Sequence, residues 1–144
     1  MKALKKTMLG AAALAAIATM AMASPAAAGI FYKYPTLHNA NGTEPVTIGS
    51  VSWSGSYLQI PTPIAAGDTK GGTYHTVLDY GYGSVTFRAY PITGDTANYC
   101  YMTFSVSNTT GAESAVAAIA QGPNWSTVHC SVSGLDFEAW GDDQ

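Results

Sequence analysis

Residues 98–107 alternate so strictly that they leave the backbone little choice. Cys100, Met102, Phe104 and Val106 share one parity, and Tyr99, Tyr101, Thr103 and Ser105 share the other. That period of two is the mark of a strand with one buried and one solvated face. Residues 126–133 repeat the arrangement, with Val128, Cys130 and Val132 set against Thr127, His129 and Ser131. Each apolar face carries one of the chain's two cysteines. The two faces are expected to meet in a common core, joining Cys100 to Cys130 in a buried disulfide. Closing a loop of about thirty residues is worth roughly 3 kcal/mol in the chain-entropy account.

The remaining segments extend the same reading. Val46 and Ile48 alternate with polar neighbours, and then the phase slips to Val51 and Trp53; a bulge at Gly49-Ser50 keeps all four on one face. Ser54-Gly55 reads as a tight turn into a strand over 57–60, which Pro61 and Pro63 end. Residues 39–45 and 65–72 read as loops. Two strand-like runs, 73–79 and 84–90, are expected to form a hairpin through Tyr80-Gly81-Tyr82-Gly83. Residues 30–34 read as an edge strand or a free arm ended by Pro35, and 135–140 as a last strand, with Leu135, Phe137 and Ala139 on one side. Residues 111–121 leave two choices. Thr110 and Glu113 have capping-box spacing before an Ala-rich stretch and Gly122-Pro123 is a stop, yet the same residues suit a meander strand. The expected architecture is all-β, a single antiparallel β-sandwich of about seven to nine strands with one disulfide and at most one short helix. A small β-barrel is the alternative. No internal repeat and no second-domain linker is visible.

The start of the chain has a different character. Lys2, Lys5 and Lys6 precede an uncharged run from Met8 to Ala23, and Ala26-Ala27-Ala28 offers a small-residue cleavage site. Residues 1–28 are therefore expected to be a secretory signal peptide, with 29–144 the single secreted β domain; a cut before Ser24 is the other option. The Ala-rich run is too short and too weakly apolar for a confident span, so no membrane span is expected after cleavage. The expected location is secreted or periplasmic, in a bacterium. An oxidising compartment suits the cysteine pair.

Beyond residue 28 only Lys33, Lys70 and Arg88 stand against nine acids, a balance of three minus nine, or −6. Nucleic acid is excluded as a partner, because phosphate binding needs clustered Lys and Arg. The same balance argues against anionic membrane surfaces. Polarity must come instead from Ser, Thr, Asn and the Tyr hydroxyls.

No residue set announces chemistry. His38, His75 and His129 lack the close spacing of a zinc site, though His75, His129 and a carboxylate could meet in three dimensions. His75 and Asp79 do not make a catalytic triad, and no G-x-S-x-G occurs. Glu44, Asp68, Asp79, Asp95 and Glu113 read mostly as turn residues. Asp136, Glu138, Asp142 and Asp143 miss the spacing of a calcium loop and read as a solvated acidic end. No catalytic residue, metal ligand or cofactor is assigned. The enrichment with functional colour is aromatic: Tyr80 and Tyr82 in the expected hairpin turn, Tyr99 and Tyr101 on the outward face of the clearest strand. Such tyrosines stack on sugar rings or anchor a protein partner. The leading expectation is an exported non-catalytic binding module for a protein or glycan partner. The alternatives are a structural subunit of a surface fibre or coat, using residues 30–34 as a donated strand, and a small secreted hydrolase or toxin.

Overall fold

The computed structural model describes residues 28–78, 81–92 and 97–140. The expected signal peptide therefore lies outside the described residues except for Ala28, as do Asp79, Tyr80, Asp95, Asp142 and Asp143.

The described chain is built from eleven strands. Sheet C is the long one: β3 (Val46–Ser54), β7 (Tyr82–Pro91), β8 (Tyr99–Ser107) and β9 (Glu113–Gln121), antiparallel in that order. Two smaller sheets cover one of its faces. Sheet A has β1 (Tyr32–Lys33), β6 (Thr73–Thr76) and β4 (Ser56–Gln59), in that order. Sheet B has β10 (Cys130–Ser133), β11 (Asp136–Ala139), β2 (Thr36–Asn39) and β5 (Thr69–Gly71). The result is a sandwich and not a closed barrel.

Alternation explains the layers. Val85, Phe87 and Ala89 of β7 and Cys100, Met102, Phe104 and Val106 of β8 are all buried on the inner face of sheet C. They meet Leu58 and Tyr74 from sheet A and Leu37, Phe137 and Ala139 from sheet B. Phe104 lies at the junction, its ring centroid 4.8 Å from Tyr74 and 6.0 Å from Phe137. Phe137 also meets Phe87 edge-on at 5.5 Å. Apart from Ala89, Cys100 and Ala139 these are large side chains, and burying each is worth about 1.5–3 kcal/mol. Cys100 and Cys130 form the expected disulfide, which ties sheet C to sheet B with Cα atoms 5.6 Å apart. The bulge is present as well. The β3–β7 register slips between Gly49 and Ser52, Ser50 takes a φ of 50°, and Trp53 returns to the inward parity of Ile48.

Several local expectations are corrected. Residues 73–79 and 84–90 do not pair: β6 belongs to sheet A and β7 to sheet C. Tyr74 drives the separation, since it is fully buried against Phe104 and its hydroxyl donates to the Gly83 carbonyl at 2.6 Å. A Cβ at Gly83 would strike that hydroxyl and the Gly55 carbonyl, so packing, not pairing, links the two strands. The choice left open over residues 111–121 falls to the strand: β9 spans Glu113–Gln121, and each of its residues finds a register partner on β8 apart from a bulge at Ala115 and Val116. The expected strand over 126–133 is shorter: Trp125–Thr127 is a 3-10 turn, and β10 begins at Cys130. Loop expectations for 39–45 and 65–72 miss the end of β2 and all of β5.

The N-terminal arm is not free. Tyr32 and Lys33 pair with His75 and Tyr74, the Phe31 amide donates to Thr76 Oγ1 at 2.9 Å, and Phe31 packs on the core. The least expected pairing joins β2 to β11 in parallel, Thr36–Asn39 against Asp136–Ala139. Thr36 Oγ1 donates to Asp136 Oδ1 at 2.7 Å across it. Among the described residues no helix is long and apolar enough to cross a membrane.

Candidate functional site

The inner face of sheet C is filled, and its outer face is where the anticipated tyrosines stand. Register places them. Tyr101 pairs with Arg88 on one side and Ile119 on the other; Tyr99 pairs with Gln121; Gly49 pairs with Arg88 from β3. Directly opposed residues of an antiparallel pair share a face, so Arg88, Tyr99, Tyr101 and Ile119 lie together. Tyr99 and Tyr101 are half-buried and Arg88 is exposed. Both covering sheets lie against the opposite face of sheet C.

The cluster is held in place by its own contacts. The Arg88 guanidinium carbon sits 4.4 Å from the centre of the Tyr99 ring. Tyr99 in turn donates from its hydroxyl to Gln121 Oε1 at 3.1 Å. On the far side of Arg88, the Tyr90 ring lies across Gly49, where any Cβ would collide with it. Glycine is thus required there for close approach.

Charge on this face is confined to one residue. The outward positions of the four strands are filled by Ser, Thr, Tyr, Ala, Ile, Gln and Gly, with Arg88 the one formal charge. Lys33 is paired with Glu113 at 2.8 Å and Lys70 with Asp68 at 3.2 Å. Among the described residues no carboxylate pairs with Arg88. Glu113 opposes Val106 on the inward side, and Asp136 and Glu138 belong to sheet B in the other layer.

The three anticipated tyrosines among the described residues do not form one patch. Tyr99 and Tyr101 come together as expected. Tyr82 shares their face and is 60 % exposed, but it opposes Ser107 at the far end of β7. It lies six positions along β7 from Arg88, about 20 Å at roughly 3.4 Å per residue. Tyr80 lies outside the described residues.

A second aromatic array escaped the sequence reading. Across the outer face of sheet A run Tyr32, His75 and Tyr57, each opposed in register, with Trp53 of β3 continuing the row. Successive ring centroids are 5.7, 5.6 and 5.6 Å apart, with interplanar angles of 46°, 29° and 57°. Tyr32, Tyr57 and Trp53 are 61, 41 and 49 % exposed. The available signal was parity: Tyr57 and His75 stand opposite to Leu58 and Tyr74, which are buried.

Titratable groups are engaged singly. His75 lies in the aromatic row on sheet A, whereas His129 approaches Glu138 at 3.6 Å beside sheet B, so the structure does not bring them together. His38 Nδ1 lies 2.8 Å from Thr69 Oγ1. Among the described residues no three His, Cys, Asp or Glu side chains gather as a metal site. The Thr69 amide, then Lys70, hold the Asp68 carboxyl below its ordinary range. Burial pushes the Tyr74 hydroxyl up, against a smaller opposing effect of Ser56.

Comparison with known proteins finds no match, whether against family patterns, curated sequences or solved structures.

Proposed function

We propose that this chain is an exported, non-catalytic binding module, secreted or periplasmic in a bacterium, whose contact surface is the outer face of sheet C around Tyr99 and Tyr101. One observation carries the reading: the outward tyrosines are not buried beneath a second layer, and Tyr99 is already fixed between Arg88 and Gln121. Side chains ordered before a partner arrives lose less entropy on binding than free ones. The basic start, the uncharged Ala-rich run and the disulfide support export.

The test is a pair of substitutions, Tyr99→Ser with Tyr101→Ser, read on a glycan array and on immobilised candidate proteins. Circular dichroism should remain native while binding weakens by about 2 kcal/mol or more, the scale of an interface anchor. Hydrolytic turnover of glycan, peptide or ester that survives stringent purification would overturn the reading. A second reading, a subunit of a surface fibre or coat, draws on β9. This nine-residue edge strand of sheet C carries one charge, Glu113, and such edges invite pairing with another copy. Size-exclusion chromatography and electron microscopy separate the two, since only a fibre subunit should polymerise.

A further inference from the structure

We infer that the partner of the sheet C face is a carboxylate-bearing polysaccharide, one acid group of which docks on Arg88 while its sugar ring lies against Tyr101 and Tyr99. The inference rests on the proposed binding role of that face and specifies its ligand chemistry.

A chain with only three bases after residue 28 commits two of them to carboxylates of its own, Lys33 to Glu113 and Lys70 to Asp68. The third, Arg88, stands in the middle of a sheet face whose other outward positions are uncharged. Its guanidinium carbon sits over the Tyr99 ring, 4.4 Å from the ring centre. A guanidinium holds its N–H donors in its own plane, in the fork that matches a carboxylate. The arrangement therefore orients the cation, and among the described residues no carboxylate takes up its donors.

The surroundings favour a sugar over a protein. Outward in register around Arg88 stand the hydroxyl-bearing Tyr90, Tyr99, Tyr101, Thr47 and Thr86, which suit the many hydroxyls of a glycan. Ile119 is the one sizeable aliphatic group among them, short of the apolar core that a stable protein interface buries. A nucleic acid would need several cations in a row, whereas a single carboxylate per bound ring needs one. The net negative charge of the chain does not forbid an acidic ligand. Asp136 and Glu138 stand in the opposite layer, about 10 Å behind the sheet.

Affinity electrophoresis and titration calorimetry with polygalacturonate, fully methyl-esterified polygalacturonate and neutral dextran test the inference, because esterification removes only the charge. The expected result is binding to the acid form at least ten-fold tighter than to the ester or to dextran. Arg88→Gln should abolish that preference, and Arg88→Lys should retain part of it. A tenfold rise in salt should weaken binding by no more than about ten-fold, as for one ionic contact. Equal binding of acid and ester would overturn the inference, as would an acid preference that persists in Arg88→Gln. Binding of dextran or ester that Tyr99→Ser with Tyr101→Ser abolishes and Arg88→Gln leaves intact would overturn only the acidic ligand and keep the binding face. No binding in any arm, with a protein partner that the tyrosine pair does affect, would likewise overturn the glycan and spare the face.

Discussion

The outer faces of sheets A and C both present aromatic side chains in cross-strand register, but the rings spend their contacts differently. On sheet A, Tyr32, His75, Tyr57 and Trp53 touch one another, ring to ring, across three strands and onto a fourth. On sheet C, Tyr99 touches a cation, and Tyr101 stands between Arg88 and Ile119 with no aromatic neighbour in register. Ring-to-ring contact stabilises the sheet that carries it. A ring under a guanidinium contributes less to the fold and more to presenting the cation. Exposed aromatics are thus not one kind of feature. What a ring already touches decides whether its removal shows up in stability or in binding.

The contrast requires that neither outer face be the main tie between the layers, which is the task of the core between them. Phe104→Ala should cost about 3–5 kcal/mol, since that ring meets sheet A through Tyr74 and sheet B through Phe137. Urea denaturation would show it, and a loss under about 1 kcal/mol would place the binding of the layers elsewhere. The same junction predicts a pH limit. The Tyr74 hydroxyl is raised by burial, so the folded state holds its proton more tightly than the unfolded chain does. That stability is fully present below the ordinary tyrosine range, near 10, and is lost as pH rises through the higher folded value. Thermal melting across pH 9–12 should show the decline, and Tyr74→Phe should flatten it.

Next in size is the covalent tie. Replacing Cys100 and Cys130 by Ala should cost about 3 kcal/mol, measured by the same denaturation. Two alkylated thiols per chain without prior reduction would refute the bond itself. The two faces can then be compared directly. Trp53→Ser with Tyr57→Ser should destabilise by about 1–2 kcal/mol and leave ligand binding unchanged. Tyr99→Ser with Tyr101→Ser should cost stability less than about 1 kcal/mol while removing binding. If the sheet C pair unfolds the domain and the sheet A pair does not, the assignment of roles is reversed.

Much of this fold is legible in the sequence wherever structure is set by local alternation. The buried faces of β8 and β11, the bulge at Gly49-Ser50 and the Cys100–Cys130 bond all follow from parity and spacing. The misreadings share one cause. β2 and β5 are short, and β2 is fixed by partners at residues 69–71 and 136–139 that no local pattern announces. Residues 73–79 have the composition of a hairpin arm, but the burial of Tyr74 against Phe104 carries them into another sheet. Of the site, the outward parity of Tyr99 and Tyr101 is legible. The stacking of Arg88 on Tyr99 is not, since it depends on the register of β7 against β8. The sheet A row is still less accessible, because its four rings come from four strands whose neighbours are set by topology.

The parallel pairing of β2 with β11 has a consequence in time. Thr36 lies beside Asp136, so one of the earliest strands of the domain waits for the final one to find its place. Contacts of such separation close slowly, because the chain entropy is spent before the pairing energy returns. A chain that emerges N-terminus first, whether from a ribosome or through a narrow pore, therefore cannot complete sheet B until Ala139 is out. Until then Leu37 has neither Phe137 nor the closed core around it. Assembly of this domain is gated by its own last strand, and a truncation removing residues 136–140 should leave an unfinished structure rather than a trimmed one.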